Sequence, residues 1–211
     1  MANDPIMCFH HCQTDASLLC LSLPPVCPLC EGEVYTTPMK VPPFRLPSPF
    51  LHSTEAPYCV VLRPTHGTFL EDYSNAANLH VGVTNSRGAV YDYNEKGVNR
   101  SLEGWDQCVC VPVLQQYDEK CIALWDQKLE QHSAYNTWHP ERYSQTDNNC
   151  YDFVLGFLRL LELQDTIPAI ASRPEFCDQF IVPKTTEAAR YISLYRKLRQ
   201  EYVTVQYNTA L

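Results

Sequence analysis

Between residues 58 and 113 the chain repeatedly alternates apolar and polar positions, the period of a half-buried strand. Tyr58–Arg63 predicts one strand, ended by Pro64. Leu79–Thr84 predicts a second, with Leu79, Val81 and Val83 on one face and His80, Gly82 and Thr84 on the other. Asn85-Ser86-Arg87-Gly88 has turn composition and Ala89–Tyr93 reads as a third strand, so the two form a hairpin. Gln107–Val113 predicts a fourth, placing Cys108 and Cys110 on one face. The period then changes to that of a helix. Residues 118–131 put Ile122, Trp125 and Leu129 on one side, and Cys150 to about Leu163 puts Cys150, Val154, Phe157 and Leu161 in one stripe. Residues 186–200 turn Ala188, Tyr191, Ile192, Tyr195 and Leu198 inward. Ser133 to Asn149 is a polar, aromatic loop, and 164–184 follows no single period. Strands followed by helices predict an α+β fold, an antiparallel sheet with flanking helices.

The front of the chain follows neither period. Five of the eleven cysteines fall in residues 1–34, with His10 and His11. Pro38, Pro42, Pro43, Pro47 and Pro49 then argue against regular structure and predict an extended connector. The expected division is a Cys/His-rich, zinc-ribbon-like head over 1–35, a Pro-rich connector over 36–52 and a main domain over 53–211. Cys27-Pro28-Leu29-Cys30-Glu31-Gly32 has the form of a zinc knuckle, since two thiolates two residues apart reach one tetrahedral ion and the glycine lets backbone amides turn toward the sulfurs. Cys8, His10, His11 and Cys12 are available for the other half, and Ser17–Leu23 has the look of a hairpin arm. A head of about 35 residues has little core of its own, so a structural zinc with four protein ligands is a sensible staple. The alternative is a reduced, flexible head with incidental thiols.

Composition narrows the function. The chain of 211 residues carries a net charge of -8, which argues against nucleic acid or an anionic membrane as the main partner. No apolar run approaches the ~18 residues of a membrane span. Met1-Ala2-Asn3-Asp4-Pro5 has no basic region and no apolar stretch, so an intracellular protein with a protein partner or a protein or acyl substrate is expected. Eleven cysteines without an export signal fit reduced thiols, metal ligands or a catalytic thiol better than a disulfide framework.

Cys150 is the candidate for chemistry. A polar run, Gln145-Thr146-Asp147-Asn148-Asn149, leads into it, so its thiol lies in the first turn of a helix, where the macrodipole favours thiolate. Its place on an apolar stripe is equally explained as core. His80 supplies a base. If Thr84 pairs with Gly88, His80 lies opposite Asp92, which would orient the imidazole as the third member of a triad does. A slip of one residue would turn Asp92 away and give its role to Asn94. His139 is a rival base.

The segments Leu79–Asn85, Gly88–Tyr91 and Asn148–Tyr151 resemble the circularly permuted papain-like superfamily, which includes desumoylating isopeptidases and lecithin retinol acyltransferase-like proteins. That resemblance implies His on an early strand, a polar residue on the next and Cys at a later helix start. Over nearly the whole chain, Phe9-His10-His11-Cys12, Cys27-Pro28-Leu29-Cys30 and Leu62–Phe69, together with the His80 and Cys150 motifs, resemble the makorin opposite-strand family. This second resemblance favours His11 and Cys12 with Cys27 and Cys30 as the zinc ligands, Cys8 being the alternative to His11.

Three functions follow. One is a thiol hydrolase or acyl transferase, with Cys150 as nucleophile, His80 as base and Asp92 as orienting group, acting on an isopeptide, amide or thioester. The second is a non-catalytic, zinc-stabilised interaction module in which Cys150 and His80 are relics and the bulk of Tyr151 crowds the thiol. The third is a redox sensor with Cys108 or Cys110 as resolving thiol.

Overall fold

Ten strands and four α-helices, with short 3-10 and π segments between them, make up the computed structural model, which describes residues 4–114 and 119–207. In chain order they are β1 Met7–His10, β2 Ala16–Cys20, β3 Val41–Arg45, β4 Phe50–Leu51, β5 Val60–Pro64, β6 Leu79–Thr84, β7 Val90–Asn94, β8 Gly97–Ser101, β9 Cys108–Val111, α1 Glu119–Ser133, α2 Cys150–Leu160, α3 Arg173–Phe176, α4 Val182–Glu201 and β10 Val203–Tyr207. The architecture is α+β with two antiparallel sheets. The expected beginning of the first helix at residue 118 falls outside the described residues.

The chain divides into two compact units, one built from the chain up to Ser48 and from Arg190 onward, the other running Pro49–Ala189. This differs from the expected division into 1–35, 36–52 and 53–211 in two ways. The Pro-rich stretch is not all connector, because β3 lies within it. It occupies the edge of a four-stranded sheet of order β10-β2-β1-β3, pairing with β1 alone. An outer edge tolerates Pro42 and Pro43, whose missing N–H groups need no ladder partner there. The second difference is β10, whose Val203-Thr204-Val205 pairs with β2 and brings the late residues into the first unit. Phe9, Leu18, Cys20, Cys27 and Val34 form its buried core.

The second unit holds a six-stranded sheet of order β4-β9-β5-β6-β7-β8. The expected strands are present with ends moved by a residue or two. β8 is an addition. It returns from β7 through the turn Asn94 to Gly97, where Gly97 takes a positive φ of 95° that its lack of Cβ permits. α2 packs on β6 and β7 and against α1. Trp125 of α1 meets Phe157 of α2 edge-on at 5.0 Å, and its indole N–H donates to the Thr84 carbonyl at 2.8 Å. Burial of such aromatics, each worth about 1.5–3 kcal/mol, fixes α2 against the sheet.

The β6–β7 register differs from the expected one. Thr84 pairs with Val90 rather than Gly88, and Val83 with Tyr91. The shift is two residues, an even number, so every side chain keeps its face. His80 and Asp92 become diagonal rather than direct partners and still meet.

Candidate functional site

In the first unit the ligand atoms of His11, Cys12, Cys27 and Cys30 all lie within 4.8 Å of one another. A tetrahedral zinc with bonds of about 2.0–2.3 Å sets its ligands on the order of 3.5 Å apart, so the donor set fits such an ion. The His11 Nδ1 to Cys30 Sγ separation is 3.3 Å. The Cys27–Gly32 turn holds its shape through the Cys27 N–H to Gly32 carbonyl and Glu31 N–H to Cys27 carbonyl bonds, both 2.9 Å. The positive φ of the turn belongs to Glu31, at 60°, not to the glycine. Gly32 serves by its smallness, since a Cβ there would lie 3.3 Å from His11 Cε1. Its backbone amide bonds the Cys30 sulfur and lowers that thiol's pKa. The second nitrogen of His11, Nε2, bonds Thr37 Oγ1 at 3.1 Å and so orients the ring, a role for Thr37 that the sequence reading missed. Cys8 is no substitute for His11. It is buried beside Ser17, and burial raises its pKa. His10 bonds Ser17 and the Thr14 carbonyl.

The second site lies in the second unit, where Cys150 is the first residue of α2. Asn149 caps the helix. Its side-chain oxygen accepts from the Tyr151 N–H at 2.9 Å, Asp152 Oδ2 accepts from the Asn149 N–H at 2.9 Å, and Asn149 Nδ2 donates to the Gln145 carbonyl at 2.8 Å. These bonds hold the polar run and pin the thiol in the first turn.

His80 Nε2–H donates to Asp92 Oδ2 at 2.7 Å, and Asn99 Nδ2 donates to the same oxygen at 3.3 Å. Asp92 is 4% exposed, so its charge is held by these two donors rather than by water. With Nε2 engaged, Nδ1 is the ring nitrogen left for a thiol, and His80 and Cys150 line the same cavity. Burial works against a charged imidazole here, but Asp92 and Cys150 outweigh it and push the His80 pKa up to about 9. Gly82 makes the diagonal contact possible. A Cβ at Gly82 would lie 2.5 Å from Val90 Cγ1, 3.0 Å from the Tyr91 carbonyl oxygen and 3.3 Å from Asp92 Cβ. The indole of Trp105 lies 6.0 Å from the His80 ring.

His80 and Cys150 line one cavity of about 390 Å³, together with Tyr143, Asn149, Tyr151 and Arg173 among others. The rivals are elsewhere. Asn94 accepts from the Lys96 N–H in its turn, and His139, its side chain 53% exposed, faces Glu141 at 3.8 Å. Cys108 and Cys110 share a strand face as expected, but Cys110 hydrogen-bonds Cys59 and Cys108 Sγ donates to the Leu51 carbonyl at 3.3 Å. A further histidine, His132, is buried against Phe153 and Trp138 and donates from Nε2 to the Phe153 carbonyl at 2.8 Å. Burial lowers its pKa to about 4, so it is a neutral core residue. Asn99 and Arg173 are site residues that the sequence reading missed. The Asn94–Gly97 turn signal, followed by Val98, could have pointed to β8 and hence to Asn99.

Among the described residues no helix is long and apolar enough to cross a membrane. The DUF4796 N-terminal family profile matches residues 4–34, which hold all four residues of the sulfur–histidine cluster, and the DUF4796 C-terminal profile matches 43–198, which hold His80, Asp92 and Cys150. The human MKRN2 opposite strand protein is 34% identical over 205 residues, spanning 96% of this chain and 91% of the human protein. No solved structure matches. A family profile covering most of the chain and a relative aligned almost end to end agree, and the chain belongs to the DUF4796, or makorin opposite-strand, family.

Proposed function

We propose that the Cys150 cleft is a thiol hydrolase or acyl transferase site for an isopeptide, amide or thioester, on a circularly permuted papain-like body. The observation that carries this reading is that His80, its ring bonded to the buried Asp92, lines one cavity with Cys150. The chain order also favours it, with His on a strand, a carboxylate on the next strand and Cys at a later helix start.

The thiolate sulfur of Cys150 attacks the carbonyl carbon, and the developing oxyanion meets the Cys150 N–H at the helix start, the next amide, that of Tyr151, being taken by Asn149. The bond to the leaving amine or thiolate breaks as His80 gives it a proton, leaving a thioester on Cys150. His80 then takes a proton from water or an acceptor nucleophile, which attacks the thioester and releases the sulfur. Asp92 holds the ring so that one nitrogen faces the thiol and stabilises its charged form.

In the first unit, His11, Cys12, Cys27 and Cys30 would hold a structural zinc. Four protein donors leave no position for a substrate, so the ion would supply folding energy and no chemistry.

The test is iodoacetamide labelling of Cys150 in the native chain across pH 5–10, read by peptide mass spectrometry, with His80→Ala alongside. Cys150, although buried, reacts faster than the half-buried thiols near neutral pH, and His80→Ala abolishes the advantage. Slow labelling that His80→Ala leaves unchanged would sink the reading and favour the interaction module.

A further inference from the structure

We propose that Arg173 is the anion anchor of the Cys150 cleft, and that the acyl substrate carries a carboxylate close to the scissile carbonyl. This rests on the thiol reading above and specifies its substrate. The protein has 24 acidic residues against 16 Lys and Arg, yet no Asp or Glu lines the cavity. Arg173 does line it, as the first residue of α3.

Its position is built rather than incidental. The guanidinium carbon lies 4.7 Å from the centre of the Tyr151 ring, stacked on the residue that directly follows the nucleophile. Tyr151 is itself buried, at 8% exposure, so the platform is fixed. α3 is held at its start by Ser172, whose hydroxyl accepts from the Glu175 N–H, and by Pro174, whose preset φ suits a first helical turn. Stacking occupies one face of the guanidinium and leaves its N–H edge for a ligand. Among the described residues no carboxylate forms an ion pair with Arg173.

A planar guanidinium edge matches a planar carboxylate through two parallel bonds. A phosphate dianion is a poorer match. It would gain most from a second cation, and among the described residues of the wall the other basic group is His80, already held by Asp92. Arg173 is therefore a specificity residue rather than a catalytic one.

Iodoacetate and iodoacetamide test this in the full-length protein, because the Cys150 sulfur displaces iodide from either and they differ in one carboxylate. The ratio of their labelling rates at Cys150, taken against the same ratio for free cysteine, should be raised about tenfold, the scale of one cation at a partly exposed site. Arg173→Met should lower that ratio about tenfold with the iodoacetamide rate nearly unchanged, and Arg173→Lys should retain most of it. In the wild-type chain the excess should fall at high salt, which supplies a reading that needs no variant. A ratio equal to that of free cysteine, or one unmoved by Arg173→Met and by salt, overturns the anchor. If iodoacetamide labelling is then still rapid and dependent on His80, the thiol reading stands without it. Slow labelling by both reagents overturns the two together.

Discussion

His11 and His80 are both buried histidines near cysteines, and their surroundings suit different chemistry. Around His11 there are three sulfurs and, on its second nitrogen, the neutral hydroxyl of Thr37. Around His80 there is one sulfur and, on its second nitrogen, the carboxylate of Asp92. Three soft anionic donors repel one another unless a cation sits among them, so the first set invites a metal. A single sulfur facing an imidazole whose far side is held by a carboxylate is balanced without a metal, because a proton can move between them. What sits behind the ring, and how many sulfurs sit before it, would decide between the two proposed uses.

The largest effect should come from the first site. Cys27→Ser, or a strong chelator, should release about one zinc per chain and unfold the first unit, at a cost of several kcal/mol. Metal analysis together with loss of amide-exchange protection in β1 and β2 checks this. A protein free of zinc whose β1 and β2 stay protected would break the comparison.

At the second site, His80→Ala should slow Cys150 labelling at neutral pH by about 10²-fold, while Asp92→Asn should have a smaller effect in the same direction. The raised pKa of His80 sets the upper limb. The ring is charged below about 9, so the labelling advantage of Cys150 over a free thiol should fade as pH rises through 9.

His132 serves as the reference, a buried histidine with neither sulfur nor carboxylate beside it. Its pKa is lowered from 6.5 to about 4, so the unfolded chain binds the extra proton between those values. Stability is complete above 6.5 and falls by up to about 3 kcal/mol as pH drops toward 4. His80, shifted upward, contributes in the opposite sense: its share is complete below 6.5 and is lost as pH rises through 9. Denaturant melts of His132→Gln, which keeps a donor for the Phe153 carbonyl, should show a flatter acid limb.

The smallest expected change is Gly82→Ala. The added methyl collides with Val90 and presses on Asp92 Cβ, so the His80–Asp92 bond lengthens and labelling slows by several-fold. An unchanged rate would mean that the carboxylate's position matters less than its presence.

Much of the second site was legible. The alternation in Leu79–Thr84 fixed which side His80 faces, and face survives any even error of register, which is why Asp92 was found from the wrong partner. The start of α2 was written in Asn149 and Asp152, a local capping signal. Arg173 was not legible, because it reaches the cleft through packing on Tyr151 rather than through any local pattern. The knuckle was visible in Cys27 and Cys30, but the choice of His11 over Cys8 depends on β1 turning Cys8 into the core. Pro42 and Pro43 argued against a strand, and only an edge position reconciles them with one. Val203-Thr204-Val205 has a strand's composition, yet nothing nearby in the chain names β2 as its partner.

That pairing has a consequence for how the chain is made. β2 leaves the ribosome well before β10 is synthesised, because the whole of the second unit lies between them in the chain. At about 5–20 residues per second, β2 waits on the order of ten seconds or more for its neighbour. During that time Leu18, Leu19 and Cys20 belong to a strand with one unpaired edge, the arrangement most open to pairing with another nascent chain. Deleting residues 203–207 would make that transient edge permanent, and the first sign of the loss would be self-association during expression rather than a change at either site.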